Sequence, residues 1–193
     1  MQSRFMTKKA VRNYTHQDKP ITIYYYGDGK GKTTAALGLV LRAVGYDMKV
    51  LILQAIKGSW PSGEQASIAR YLAKNVKIKT LGRGFIGIAH DKLPLYAHRK
   101  AACNAMKTAR REIESGKWDI IVLDEFADLP THKLVTIRNL VSLVTGARRK
   151  TDIIITGHRP IKLLISRAQL VSEIKKVKHP FDKGIIARRG LDF

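Results

Sequence analysis

Two groups of residues in this 193-residue chain have the types and spacing to do chemistry. The first is the run Gly27, Asp28, Gly29, Lys30, Gly31, Lys32, Thr33, Thr34. Glycines let a backbone close around an anion, and the free N–H groups that open a helix bind phosphate oxygens. In such a loop Lys32 neutralises a phosphate tail and the Thr33 hydroxyl reaches a Mg2+ ion, as in the pattern G-x-x-x-x-G-K-[ST]. Three residues, rather than the four of that pattern, separate Gly27 from Gly31, so the cradle is expected to differ from that of ordinary ATPases. The second group is Asp124 and Glu125, directly after the apolar run Ile120–Leu123. Carboxylates at the end of a buried strand hold or position Mg2+. Both carboxylates are candidates for the metal beside Thr33, Glu125 the first and Asp124 the second.

No other set of side chains has comparable context. His90, His98, His132, His158 and His179 are scattered along the chain and read as surface residues. Cys103 is the only cysteine, which rules out an intrachain disulfide and a cysteine-rich zinc site. Without an activating neighbour it reads as a packing residue rather than a nucleophile.

The elements that must position these groups can be traced in order. Pro20 opens a β-rich run, Ile21–Tyr26, which the glycines of the loop stop. Leu37, Val40, Leu41 and Val44 recur at helical spacing over Thr33–Val44, with Gly45 as the C-cap. Further strands are expected over Lys49–Gln54, Val76–Leu81 (an edge or half-buried strand), Trp118–Leu123, Thr151–Ile155 and Leu170–Ile174. Helices are expected over Ala66–Lys74, Tyr96–Glu114 (closed by Gly116), Lys133–Thr145 and Ile161–Ala168. Strand and helix alternate throughout, which predicts an α/β three-layer fold with a mainly parallel sheet. Ligands of such folds sit beyond the C-terminal strand ends, where every unusual loop of this chain falls.

Length and composition fit one domain over residues 19–193, preceded by a polar, basic arm over residues 1–18. The hydrophobic content of 45% excludes a disordered chain. The apolar runs are strand-sized and no signal-peptide core follows the N-terminal lysines, so neither a membrane span nor export is expected, and the cytoplasm is the default location. The formal net charge of +21 favours polyanions, which keeps nucleic acid among the partners to consider.

Several segments are more specific than a generic nucleotide-binding loop. The run YGDGKGKTTAALG over Tyr26–Gly38, with Arg42 to Gly45 one helix later, resembles the ATP:corrinoid adenosyltransferases of the RecA-like P-loop type. So do QAIKGSWPSGE over Gln54–Glu64, VLDE over Val122–Glu125, ITG over Ile155–Gly157, and the tail Val177–Phe193. Together they cover roughly residues 20–193. The resemblance implies a RecA-like fold and transfer of the 5′-deoxyadenosyl group of MgATP to the cobalt of a reduced corrinoid, with triphosphate released. It implies that Arg42 contacts the nucleotide and that Gly84 and Phe85 belong to the corrinoid-facing loop. It further implies a homodimer and a corrinoid-reducing flavoprotein as partner. Three positions depart from the family: Tyr26 where Thr is common, Gly87 where Trp is frequent, and His158 followed by Arg159 where Arg directly follows the Thr-Gly pair. His158 and Arg159 are thus both candidates for the phosphate contact.

Reduced cobalt is itself the nucleophile in that reaction, so no activated Ser or Cys is required. Two other functions remain open to the same motifs: a nucleic-acid-dependent P-loop ATPase, supported by the charge, and a nucleotide-binding regulatory protein without turnover.

Overall fold

The computed structural model describes residues 19–58, 62–84, 91, 93–146 and 149–191. The expected arm over residues 1–18 lies outside them, as do Trp60, Phe85, Gly87 and His90.

The chain runs β1 (Thr22–Tyr26), α1 (Lys32–Val44), β2 (Val50–Gln54), α2 (Gly63–Ser67), which widens into a π turn over Ile68–Leu72, and β3 (Val76–Thr80). It continues through α3 (Leu95–Glu114), β4 (Ile120–Asp124), α4 (Ile137–Thr145), β5 (Asp152–Gly157), α5 (Lys162–Ile165) and β6 (Leu170–Glu173). The six strands form one sheet in the order β3-β2-β4-β5-β1-β6, and every pairing is parallel.

A parallel sheet is covered on both faces, which is why its inner strands read as continuous apolar runs. All five residues of β2 are buried. Because successive side chains point to opposite faces, Leu51, Leu53, Ile121, Leu123, Ile153 and Ile155 pack with Ala102, Ala105, Ala109 and Ile113 of α3 and with Leu140 and Val144 of α4. Val50, Ile52, Val122 and Ile154 face the other way, onto Ala36, Val40 and Ala43 of α1. The small residues of α1 and α3 let both helices lie close to the sheet, and together these two clusters make the three-layer architecture expected from the sequence. β3, at the sheet edge, is only half-buried, as its alternating lysines predicted.

Several boundaries differ from the sequence reading. The helix expected from Lys133 begins at Ile137, because Lys133 adopts a positive φ of 56° and Thr136 Oγ1 caps the helix by accepting from Asn139 N–H at 3.2 Å. The helix expected over Ile161–Ala168 is a single turn, α5. Gly45 caps α1, as expected, and does so in the right-handed region, at φ −59°. Asp47, at φ 59°, makes the left-handed turn instead. Among the described residues no helix is long and apolar enough to cross a membrane.

Part of the basic excess is structural. The Arg149 guanidinium donates to Ile21 O, Pro20 O, Thr151 O and Thr22 Oγ1 at 2.7–3.2 Å, tying down the entry to β1.

Candidate active site

β1, β5 and β4 lie side by side, so their C-terminal ends bring together the glycine loop, Thr156 with His158, and Asp124 with Glu125. At the start of α1 no side chain caps the helix and no acidic residue stands in its first turn. Its free N–H groups and positive dipole end are therefore open to an anion. Lys32 Nζ reaches back into the loop, donating to Gly27 O (2.7 Å) and Gly29 O (2.8 Å). Burial lowers the pKa of this ammonium, and the charges of Asp128, Glu125, Asp28 and Asp124 oppose that shift.

The outer side of the loop is packed by backbone. Gly29 N–H donates to Ile174 O at 2.8 Å, and Asp28 Oδ1 accepts from Lys176 N–H at 3.0 Å. That hydrogen bond holds the Asp28 carboxyl below its ordinary pKa. A Cβ at Gly27, where φ is +125°, would lie 2.2 Å from Ile174 O, and one at Gly29 would lie 2.7 Å from Ile174 O and Lys175. These glycines are thus demanded by the segment after β6. Gly27→Ala combines a forbidden contact with left-handed strain, so a loss of about 3 kcal/mol is expected, which corresponds to roughly 10 °C in Tm and can be read by thermal melting without ligand.

Across the cleft, Asp124 is the hub of a buried polar network. Its Oδ1 accepts from Thr33 Oγ1 (2.8 Å) and Thr156 Oγ1 (2.9 Å), and its Oδ2 from Gln54 Nε2 (3.2 Å). Thr156 Oγ1 also accepts from Glu125 N–H at 2.8 Å, which holds Glu125 in a left-handed conformation (φ 60°). Glu125 Oε2 is buried without a hydrogen-bond partner. Burial, then the charges of Asp124 and Asp128, push its carboxyl up to about 7. A buried carboxylate oxygen without a donor is costly and suits a cation.

The cleft has a volume of about 530 Å³ and is lined by Lys30 to Thr34, Lys57, Glu64, Glu125, Thr156 and His158, with Gly190 and Leu191 from the C-terminal tail. Lys57 and Glu64 form an ion pair on its wall; burial pushes the Glu64 carboxyl up, but the Lys57 hydrogen bond and charge outweigh it and hold the group low. A larger hollow, about 740 Å³, lies between α3 and the turn before α4. Its lining contains neither the glycine loop nor a carboxylate, so the smaller cleft is the candidate site.

The candidate residues separate clearly. Lys30, Gly31, Lys32, Thr33, Thr34, Glu125 and His158 line the cleft; Gly27, Asp28 and Gly29 shape the loop, and Asp124 lies behind Thr33. Arg42 is exposed in the last turn of α1, about 15 Å along the helix axis from Lys32, and does not line the cleft. Arg159 contributes its backbone oxygen to Tyr24 O–H (2.6 Å) and its side chain is not part of the cleft wall, so of the two phosphate-contact candidates the structure brings His158. Gly84 (φ 107°) donates its N–H to Ile56 O at 3.1 Å, supporting the loop that carries Lys57; Phe85 lies outside the described residues.

One histidine departs from the surface reading: His98 is buried, with Nε2 3.1 Å from Asp91 Oδ1. His158 is exposed, as expected, and stands at the cleft on Asp128. Cys103 departs as well: it is exposed, because its position on α3 falls between the apolar stripe residues Ala102 and Ala105. Asp128 and Thr156 were not legible as site residues from the sequence. The one available signal for Asp128 was its position three residues after Glu125, which a tight 3-10 turn over Phe126–Asp128 returns to the same side. Among the described residues no group of three or more His, Cys, Asp or Glu side chains is arranged to hold a metal. A hard cation here would need phosphate oxygens and water to complete its shell.

The family model for "ATP:corrinoid adenosyltransferase BtuR/CobO/CobP" matches residues 18–193. The chain is 32% identical over 194 residues to the corrinoid adenosyltransferase of Escherichia coli (strain K12), covering 100% of this chain and 95% of that protein. It is 32% identical over 178 residues to corrinoid adenosyltransferase CobA of Salmonella typhimurium (strain LT2), covering 92% and 87%. Among solved structures, domain III of the replication initiation protein DnaA from Thermotoga maritima aligns at a TM-score of 0.38 and 16% identity, over 92% of this chain and 63% of that one.

Proposed function

The chain belongs to the ATP:corrinoid adenosyltransferase family, and from that premise we propose that this transferase moves the 5′-deoxyadenosyl group of ATP onto the cobalt of a reduced corrinoid. The electron pair of the reduced cobalt forms the Co–C5′ bond, the C5′–O5′ bond breaks, and its pair leaves on inorganic triphosphate. The observation that carries this reading is the convergence of Lys32, the Asp124-bound Thr33 and the unpartnered Glu125 oxygen on one cleft, with no activated nucleophile among its described residues.

The protein's tasks are then placement and charge. The N–H groups at the start of α1 bind the phosphate tail, and Lys32 exchanges its two loop carbonyls for phosphate oxygens. Lys30 adds positive charge at the mouth. The donor set fits Mg2+: Glu125 supplies a buried carboxylate oxygen and Thr33 a hydroxyl oriented by Asp124, with Asp124 behind them. Bound there, the ion would neutralise charge on the departing triphosphate. Gly84 and Phe85 are the residues we propose to face the corrinoid. A homodimer, a corrinoid-reducing flavoprotein and a cytoplasmic site of action belong to the same reading, and family membership is their support.

The test is anaerobic incubation with MgATP and chemically reduced cobalamin. A light-sensitive Co–C bond, seen in the visible spectrum, with stoichiometric triphosphate is the expected result; ADP and phosphate as products would overturn it. The +21 charge favours one second reading, a nucleic-acid-dependent ATPase. ADP release stimulated by DNA or RNA, and lost steeply with salt, would select it.

A further inference from the structure

We propose that Asp128 is a positioning residue of this site: it fixes the His158 ring so that the ring's free nitrogen donates into the cleft, to the phosphate tail of the nucleotide. This rests on the reading of the cleft as the ATP site. Asp128 is buried and spends both carboxylate oxygens on one residue. Oδ1 accepts from His158 N–H at 2.7 Å and Oδ2 from the ring Nδ1 at 2.8 Å. The double contact holds both the backbone and the ring plane of His158. Nε2 makes no hydrogen bond to the described residues, and the side chain, 56% exposed, stands on the cleft wall.

A phosphate oxygen accepts and does not donate, so Nε2 must carry a proton; with Nδ1–H engaged on Asp128, the ring in contact with phosphate is an imidazolium. Its surroundings decide whether that state persists. Asp128, by hydrogen bond and charge, and Glu125, by charge, favour the cation, whereas partial burial and the Lys32 ammonium oppose it. Tyr24 lies behind Asp128 and stays protonated, its pKa raised chiefly by burial, and Lys57 faces Glu125 across the cleft. The balance leaves the His158 pKa above its ordinary value of 6.5. An Arg at this position would need no such partner. A His needs the carboxylate, and the chain has one three residues after Glu125.

Three variants separate this inference from the site reading: His158→Ala, Asp128→Asn, and Asp128→Asn combined with His158→Arg. In the wild type, kcat/KM for ATP should fall as pH rises through the His158 pKa. In Asp128→Asn that fall should move to lower pH, giving a loss of about tenfold near pH 8 and little loss at about pH 6. The double variant should regain activity near pH 8, because the guanidinium stays charged. The His158 ring titration, followed by NMR and identified by its absence in the double variant, should shift in the same direction in Asp128→Asn without any assay of turnover. If Asp128→Asn leaves both the rate profile and the ring titration where they were, or the double variant recovers nothing while its melting curve is native, the role of Asp128 is overturned. If His158→Ala itself matches the wild type at every pH, the phosphate contact falls and this inference with it.

Discussion

Replacing Lys32 by Ala is expected to lower kcat for adenosyl transfer at least a hundredfold. In the proposed reaction the ammonium would meet the charge that grows on triphosphate as C5′–O5′ breaks, in a cleft where water is partly excluded; removing one preorganised group of this kind typically costs a factor of 10² to 10³. A second effect adds to it, since the same ammonium bridges Gly27 O and Gly29 O in the ligand-free loop, and both carbonyls lose their donor. Lys32→Arg should recover little, because the fork of a guanidinium does not fit two carbonyls spaced for a point charge. The measurement is the single-turnover rate of Co–C bond formation, with triphosphate counted alongside. A variant within threefold or so of wild type would remove the glycine loop from the chemistry.

Glu125→Gln is expected to act in opposite directions on stability and on activity. The folded carboxyl titrates at about 7 against an ordinary 4.5, so between those values the native state holds a proton that the unfolded chain has released. By linkage the ligand-free protein loses stability as pH rises across that interval, by on the order of 3 kcal/mol once the group is fully ionised. A glutamine, neutral at every pH, removes that loss. Its Tm without ligand should exceed the wild-type value near pH 8 and match it more closely near pH 5. Activity should drop about a hundredfold or more, with the Mg2+ concentration needed for ATP binding raised, because the buried oxygen that suits a cation has lost its charge. A lower Tm than wild type near pH 8 would show that the carboxylate is not held against its own burial.

How far the sequence reached differs from residue to residue. The glycine loop, Lys32 and Thr33 were legible because their function depends on local backbone geometry, and local geometry is written in consecutive residues. Asp124 and Glu125 were legible as a pair, with Glu125 placed first for the metal, but the partners that set them apart were not. Asp124 is consumed by Thr33, Thr156 and Gln54, leaving Glu125 as the unpartnered oxygen, and those partners come from three other elements. Arg42, which the resemblance links to the nucleotide, lies outside the cleft lining because the axial rise of a helix carries its last turn away from the loop that starts it.

What the sequence determined by itself is the alternation of strand and helix, the two faces of the sheet and the phosphate loop, since each follows from periodicity or from glycine within one segment. What only the tertiary structure decided is which strand ends lie together. Placing β5 between β4 and β1 sets Thr156 against Asp124 and His158 against Asp128, and placing β6 on the other side of β1 brings Ile174 over Gly27. Hydrogen bonds between residues about 30 or more positions apart depend on strand order and register, and no single stretch of chain encodes those.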